Sequence, residues 1–267
     1  MARDRKPHLP RTRLIATTVA ALTITATASA SATTTAPTKA TPTPATNPTN
    51  PINHANPTKG HDVSSHQKNV NWPSTKAKGA TFVYIKATES TTYRNPYFGP
   101  QYDGARASGI IRGAYHFALP DRSSGAAQAA YFVAHGGDWK ADGWTLPPAL
   151  DIEYNPYDKK QGCYGLSKAG TVNWIKAFSA EVKRETGRRP VIYTTTRWWN
   201  ECTGDNTTLA STHALWIARH KAADAGTLPA GWSYWTFWQY DNSGSLPGDQ
   251  NLFNGTVAQL RKFARDY

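Results

Sequence analysis

From Gly60 onward the chain alternates short apolar runs with longer amphipathic segments, and this alternation restricts the fold more than any other feature. Each run is rich in β-branched or aromatic residues and is bounded by Gly, Pro, Asn or Asp, a pattern that predicts buried strands. The predicted strands cover residues 81–86, 111–117, 148–152, 190–194, 214–218 and 234–239.

Amphipathic segments between these runs predict helices. The clearest segment covers residues 166–186, where apolar side chains recur near the 3.6-residue helical period. Further helices are predicted over residues 95–108, 123–135 and 256–266. Alternation of strands and helices predicts a single α/β domain with a mostly parallel sheet, and strands buried on both faces favour a barrel over a two-layer sandwich.

The first 59 residues do not have the composition of a folded domain. A basic stretch, a short apolar run and a series of small residues form a secretory signal pattern over residues 1–32. A transmembrane anchor is the alternative, but the run is short and rich in Thr. Residues 33–59 are mostly Thr, Pro, Ala and Asn, so they predict a linker or leader before a domain at 60–267.

The formal net charge of +12 is concentrated partly in the N-terminal region. Seven of the 30 Lys and Arg residues and one of the 18 acids precede Gly60, so the remainder carries about +6. This surplus favours an anionic bacterial cell wall as a partner. No helix-turn-helix, RNP or zinc-finger signature is present, so nucleic acid is not expected. No membrane span is expected once the signal is removed.

The chain contains two cysteines, Cys163 and Cys202. Export would make them a disulfide, and two free thiols are the alternative. No Cys/His cluster has zinc spacing and no serine lies in a G-x-S-x-G sequence, so neither a metal site nor a cofactor is predicted.

Ionisable residues occur where the predicted strands end. In parallel α/β domains, reactive side chains gather at the carboxyl ends of the strands. The ionisable residues in such positions are Asp62, Lys86, Glu89, His116, Asp151, Glu153 and Asp241.

The strongest candidate pair is Asp151 and Glu153 in the segment PALDIEY. On a strand, residues i and i+2 project to the same face, so the two carboxylates should point in one direction. Neighbouring carboxylates make each other harder to ionise, and one of them then stays protonated at higher pH. That asymmetry suits acid–base cleavage of a glycosidic bond. A solvated pair of loop acids is the alternative, but the preceding apolar strand favours burial.

Aromatic residues are also frequent near the predicted strand ends. Tyr and Trp rings stack on sugar faces, although core packing is expected to account for about half of these residues. The set comprises Tyr84, Tyr115, Tyr154, Tyr193, Trp216, Trp238 and Tyr240. Trp198, Trp199 and Trp232 are expected to pack in loops.

Eight segments in order carry a resemblance to a known family: GHDVSSHQ, FVYIKATES, GAYHFA, PALDIEY, PVIYTTT, LWIAR, FWQYDNSGS and GDQNLFNG. Together they resemble glycoside hydrolase family 25, the Chalaropsis-type lysozymes, over essentially all of residues 60–267. The segments CYGLS and WWNECTG, which contain the two cysteines, are similar to the disulfide-bearing branch of that family.

The resemblance implies a modified TIM-like barrel of about eight strands, written (β/α)5(β)3. It implies a lysozyme that hydrolyses the β-1,4 bond between N-acetylmuramic acid and N-acetylglucosamine in the glycan strands of peptidoglycan. The signal pattern adds secretion, and a monomer is expected. Glu153 would be the general acid, Asp151 its partner, and Asp62 would orient or charge the site. Asp249 in GDQNLF matches the fourth acid of the family, with Asp241 as a substitute because the preceding stretch is short.

Six further residues are candidates for binding sugar or positioning the acids: Lys86, Glu89, Tyr115, His116, Tyr193 and Trp238. Lys86 and Glu89 could instead form an ion pair, and His116 could be a hydrogen-bonded strand residue without a chemical role.

Two other functions and three mechanisms stay open at this point. The chain could hydrolyse another N-acetylated polymer such as chitin, or it could be a non-catalytic wall-binding module. Retaining and inverting mechanisms differ in the separation of the two carboxyls, and side-chain rotation at residues 151 and 153 can satisfy either. A third mechanism, which we favour, uses the acetamido group of the substrate as the nucleophile.

Overall fold

Residues 57–266 are described by a computed structural model in which strands and helices alternate. The strands are β1 (Thr58–Val63), β2 (Phe82–Glu89), β3 (Tyr93–Arg94), β4 (Ile111–Phe117), β5 (Ala149–Asp151), β6 (Val191–Thr194), β7 (Leu215–Ala218), β8 (Phe237–Asp241) and β9 (Asp249–Phe253). The helices are α1 (Trp72–Ala77), α2 (Phe98–Ala107), α3 (Gly125–Phe132), α4 (Lys168–Thr186), α5 (Thr196–Thr203) and α6 (Val257–Arg265). The predicted signal peptide and most of the predicted linker lie outside these residues.

Eight of the strands close into a barrel in the order β1-β9-β8-β7-β6-β5-β4-β2, and β2 pairs with β1 to complete it. All neighbours in the barrel are parallel except β9, which runs antiparallel to both β8 and β1. A helix follows each of β1, β2, β4, β5 and β6, whereas β7, β8 and β9 succeed one another without helices. The predicted (β/α)5(β)3 barrel is therefore confirmed, and β3 adds a short hairpin to β2.

The predicted helices are present, with ends that differ by up to three residues. In α4, the Ser167 hydroxyl accepts a hydrogen bond from the Gly170 backbone N–H, and Gly187 ends the helix in the left-handed conformation. The prediction for Trp198 and Trp199 is wrong: they lie on α5, not in a loop, and both are fully buried. Within residues 57–266, no helix combines the length and apolar character needed to cross a bilayer.

Side chains that point into the barrel change in character along its axis. At the base the inward positions are apolar and mostly aromatic, and Gly113 leaves space for them, because a Cβ there would lie 2.5 Å from the Tyr84 ring. Toward the open end of the barrel the inward positions are polar or ionisable groups, such as Lys86, Tyr115 and Gln239. The apolar layer includes Phe82, Tyr84, Ile111, Val191, Phe237 and Phe253. This layer fills the base of the barrel, and the cleft lies at the carboxyl end of the parallel strands.

Side chains that point outward pack beneath the helices. His116, Leu150 and Ile192 belong to this outer layer, and Phe132 and Phe178 of α3 and α4 cover it. Because side chains alternate along a strand, a step of one residue moves a side chain from the cleft to this layer.

Strands β1 and β9 were not among the apolar runs found in the sequence. Their inward positions at the open end are Asp62, Asp249 and Asn251, so the apolar alternation that identifies a strand is interrupted by functional residues. Strand β1 begins at Thr58, two residues before the expected start of the domain. Strand β5 ends at Asp151, so Glu153 lies beyond the strand.

Cys163 and Cys202 form the predicted disulfide, with a Cα–Cα distance of 5.4 Å. The bond connects the segment that follows Glu153 to helix α5, and the two cysteines are 39 positions apart. Closing a loop of this length restricts the unfolded chain and stabilises the domain by about 4 kcal/mol in the chain-entropy account.

Replacing both cysteines with alanine should lower the midpoint of thermal unfolding by roughly 10 °C, because about 4 kcal/mol corresponds to that shift in a domain of this size. Calorimetry of the double variant and of the reduced wild-type protein checks this, and the two should agree. An unfolding temperature that neither change lowers would contradict the stabilising role of the bond.

Candidate active site

The open end of the barrel contains a cleft of about 260 Å³. Parallel strands bring their carboxyl ends to this side, and β9 brings its first residue, Asp249, because it runs in the opposite direction. The principal lining residues are Asp62, Lys86, Tyr115, Phe117, Asp151, Glu153, Tyr193, Trp216, Gln239 and Asp249. The four predicted acids therefore line one cavity.

Asp151 and Glu153 are adjacent acids within this cleft. Burial, followed by the charge of Glu153, raises the pKa of Asp151 well above its usual range. Burial also raises the pKa of Glu153, and this effect is opposed by the Lys86 ammonium and by a hydrogen bond with Asp151. Repulsion and desolvation together favour the state in which the two carboxyls share one proton.

Glu153 lies two residues beyond Asp151 and outside the regular strand, yet its side chain enters the same cleft. The same-face relationship predicted from the sequence is thus present, although the backbone that produces it is not strand throughout. One oxygen of Asp151 is buried with no hydrogen-bond partner in the structure. A buried carboxyl oxygen of this kind favours the protonated acid or a polar group of a ligand.

Asp62 lies at the inward face of β1 and is only 8% exposed. One of its oxygens accepts hydrogen bonds from the Gln239 side-chain amide at 2.8 Å and from the Asn251 side-chain amide at 2.6 Å. Burial and the neighbouring Asp249 raise the pKa of Asp62 from 3.8 to about 7, and the two amide donors limit that rise.

Two aromatic donors fix the orientation of these amides. The Trp216 indole N–H donates to the Asn251 side-chain oxygen at 2.7 Å, and the Tyr193 hydroxyl donates to the Gln239 side-chain oxygen at 2.8 Å. An indole N–H can only donate, so the Asn251 NH₂ group must face Asp62. Residues from β1, β6, β7, β8 and β9 thereby form one hydrogen-bonded network.

Asp249 is opposite Asp62 in the β1–β9 ladder. Burial raises its pKa, and the nearby His220 opposes this. Gly248 before it has φ +74°, and a Cβ there would lie 2.0 Å from the Asp62 carbonyl oxygen, so glycine permits this close approach. Asp241 does not line the cleft, and its carboxylate accepts hydrogen bonds from Ser243 instead.

Lys86 and Glu89 both face the mouth of the barrel although they are three residues apart. The register of β2 against β4 shifts between Lys86 and Thr88, and this bulge changes which later residues point inward. The Lys86 ammonium lies 2.5 Å from the Glu89 carboxylate and 4.6 Å from the centroid of the Phe117 ring. The ion pair considered as an alternative is present, and Lys86 also lines the cleft.

Tyr115, Tyr193 and Trp216 form an aromatic wall below the acids. The rings of Tyr193 and Trp216 are 4.8 Å apart at an interplanar angle of 70°, and Tyr115 meets Trp216 edge-on at 6.3 Å. Tyr115 and Tyr193 thus line the cleft, and their contact with substrate stays a prediction.

His116 and Trp238 point away from the cleft. The His116 ring is fully buried between Thr88 and Gln128, with contacts of 2.8 and 2.9 Å, and burial lowers its pKa to about 4. The Trp238 indole donates to the Arg219 carbonyl oxygen and packs on the outer layer. Each is one residue from an inward position, so the structure does not bring these two candidates to the site.

Gln239 and Asn251 were not recognised as site residues from the sequence. Each occupies an inward position two residues from a buried phenylalanine, Phe237 or Phe253, and this period-two relationship is the signal that identifies them. In residues 57–266 no group of three or more His, Cys, Asp or Glu side chains is arranged to hold a metal ion.

The open cleft contains two adjacent acids with raised pKa values, and aromatic side chains lie beneath them. This is the arrangement of a glycoside hydrolase that uses carboxyl groups. The sequence comparisons agree with this class. The model of glycosyl hydrolases family 25 matches residues 61–249, and the chain belongs to this family. It is a glycoside hydrolase of the muramidase type.

Known members of the family are similar over most of the chain. The N,O-diacetylmuramidase of a Chalaropsis species is 47% identical over 77% of this chain and 98% of its own. Lysozyme M1 of Streptomyces globisporus is 47% identical over 78% of this chain and 71% of its own. The muramidase of Acremonium alcalophilum, a solved structure, is 52% identical with a TM-score of 0.75 over 78% of this chain and 98% of its own.

Asp62→Asn should stabilise the protein at pH 8. The folded-state pKa of Asp62, about 7, exceeds the ordinary 3.8, so the folded state loses stability as pH rises between these values. A rise of three pKa units corresponds to a loss of roughly 4 kcal/mol in the free energy of unfolding when the acid is ionised. The asparagine oxygen can still accept both amide hydrogen bonds.

Denaturant unfolding of this variant and the wild-type protein at pH 4 and pH 8 measures the effect. The variant should gain stability at pH 8 and much less at pH 4, whereas Asp103→Asn, at an exposed position on α2, should show no such difference. An equal effect of Asp62→Asn at both pH values would contradict the account.

Proposed function

We propose that the protein is a secreted, monomeric lysozyme that hydrolyses the β-1,4 bond between N-acetylmuramic acid and N-acetylglucosamine in peptidoglycan. The observation that supports this most strongly is the pair of acids, Asp151 and Glu153, in one cleft lined by aromatic rings. Relatives named N,O-diacetylmuramidase and lysozyme, with nearly half of the aligned residues identical, support this choice of substrate.

Glu153 is the proposed general acid because burial raises its pKa, which favours the protonated form. Asp151 is its proposed partner, and the hydrogen bond between them lets the shared proton move from one carboxyl to the other. When Glu153 carries the proton, Asp151 is ionised and is free to stabilise positive charge in the transition state.

The proposed reaction uses the acetamido group of the muramic acid residue as the nucleophile. Glu153 gives its proton to the glycosidic oxygen, the C1–O bond breaks, and the acetamido oxygen bonds to C1 to form a cyclic oxazolinium ion. Asp151 accepts a hydrogen bond from the acetamido N–H and balances its charge. Glu153 then removes a proton from water, whose oxygen attacks C1 and opens the ring, so that one water molecule is consumed per bond.

Asp62 and Asp249 are proposed to lie beneath the reacting sugar, where Asp62 orients or charges the site. The Asp62 carboxylate is held rigidly by Gln239 and Asn251, so it is oriented before substrate binds. Tyr115, Tyr193 and Lys86 line the same cleft and are proposed to contact the sugar.

Secretion is proposed from the signal pattern at residues 1–32, and the disulfide between Cys163 and Cys202 suits an oxidising compartment. The surplus of basic residues would attract the enzyme to an anionic bacterial wall.

Glu153→Gln should slow the clearing of bacterial wall suspensions by about 10²–10⁴-fold, the usual contribution of a general acid. The rate of turbidity loss measures this, and Glu185→Gln, the same change at an exposed position on α4, serves as the control. A Glu153→Gln rate within tenfold of the wild-type rate would remove Glu153 as the acid.

The products formed from purified peptidoglycan test the choice of bond. A new reducing end on muramic acid is the expected result. Reducing ends on N-acetylglucosamine, or faster cleavage of chitin, would support the alternative hydrolase, and binding to walls without any new reducing end would support a non-catalytic module.

A further inference from the structure

Tyr157 has the most exposed of the large apolar side chains in the described residues. It is 63% exposed, compared with 42% for Val257 and 37% for Tyr234. An aromatic ring that faces water keeps its apolar face available for contact with a ligand.

Tyr157 makes one hydrogen bond through its backbone and one through its hydroxyl. The Tyr157 backbone N–H donates to the side-chain oxygen of Asn155 at 2.9 Å, and Asn155 is only 4% exposed. At the other end, the Tyr157 hydroxyl donates to the Glu89 carboxylate at 2.5 Å. The bond to Asn155 restrains the backbone and the bond to Glu89 restrains the ring, so less side-chain freedom remains to be lost when a ligand binds.

Its contacts put Tyr157 at the rim of the active-site cleft. Its partner Glu89 uses the other carboxylate oxygen to bind Lys86, which lines the cleft beside Asp151 and Glu153. Tyr157 also lies four residues after Glu153, in the segment that the disulfide at Cys163 ties to α5. A glycan strand that places one bond at the acid pair has further sugars on either side of that bond.

We propose that the exposed face of Tyr157 is a stacking surface for a pyranose ring of the bound glycan strand, outside the position of the cleaved bond. This assignment rests on the proposed function, because it requires a polysaccharide substrate. Sugar rings present flat C–H faces that pack on aromatic rings, and a tyrosine bonded through its hydroxyl leaves its face available for this contact.

Glu89 has a supporting role in this arrangement. Its carboxylate accepts from Tyr157 on one side and pairs with the Lys86 ammonium on the other, so one side chain holds both the rim ring and a cleft residue. Tyr157 is therefore a substrate-binding residue rather than a catalytic one, and its loss should weaken binding without changing the chemical step.

Steady-state kinetics on soluble peptidoglycan fragments of several disaccharide units separate these effects. Tyr157→Ala should raise KM by about tenfold, the size of effect typical when a binding aromatic is truncated, and should leave kcat within about twofold of wild type. Tyr157→Phe keeps the ring and loses the bond to Glu89, so KM should rise by a smaller factor of about three.

Tyr234→Ala is the matched control. Tyr234 is an exposed tyrosine that precedes β8, a strand that runs toward the open end, so it lies toward the opposite end of the barrel. Its removal should leave both KM and kcat unchanged. Thermal unfolding of all three variants shows whether they are folded, and titration calorimetry of the same fragments into Glu153→Gln with and without Tyr157→Ala measures binding without turnover.

Each outcome bears on a distinct claim. If the fragments are cleaved but Tyr157→Ala changes KM by less than twofold, or lowers kcat alone, the stacking assignment fails while the proposed function stands. If the wild-type protein released no reducing ends from the fragments, the proposed function would fail and this assignment would fail with it. A tenfold change in both KM and the dissociation constant, absent in Tyr234→Ala, is the expected result.

Discussion

The mutual repulsion of two buried carboxyl groups is the interaction on which the site depends. Asp151 and Glu153 are desolvated in one cleft, with the Lys86 ammonium as the cation that partly offsets their charge. Full ionisation of both acids would leave like charges side by side in a poorly solvated space, so the pair favours the state that holds one proton. A proton donor at the pH of the medium is what acid-catalysed cleavage of a glycosidic bond requires.

The barrel topology makes this arrangement possible by closing on itself with one reversed strand. Because β9 is antiparallel, Asp249 and Asn251 reach the open end from the start of the strand, opposite Asp62 on β1. Closure therefore joins the two ends of the domain at the site. The aromatic donors from β6 and β7 and the amide of Gln239 on β8 then orient Asp62. Burial raises the pKa of Asp62 and so lowers the stability of the folded protein once this acid is ionised. A fold selected for stability alone would not retain such a buried acid.

Much of this could be read from the sequence, and the failures have a common physical cause. The apolar runs of β2 and β4 to β8 were recognisable because both of their faces are buried, and the acids were recognisable because they lie at strand ends. Strands β1 and β9 were not recognisable, since their inward positions at the open end are polar. His116 and Trp238 were assigned to the cleft, although each lies one residue from an inward position on its strand and points outward. Tyr157 is in a segment without periodicity, where a sequence gives no indication of exposure.

Titration of the Asp151 and Glu153 carboxyl carbons by NMR in the ¹³C-labelled protein tests the shared proton most directly. The account predicts that one carboxyl of the pair keeps its proton well above the pH at which an ordinary carboxyl titrates, and that Glu153→Gln, which removes the neighbouring charge, lowers the pKa of Asp151. If both carboxyls lost their protons together near pH 4, and the titration of Asp151 were the same in Glu153→Gln, the two acids would be independent and the account would be contradicted.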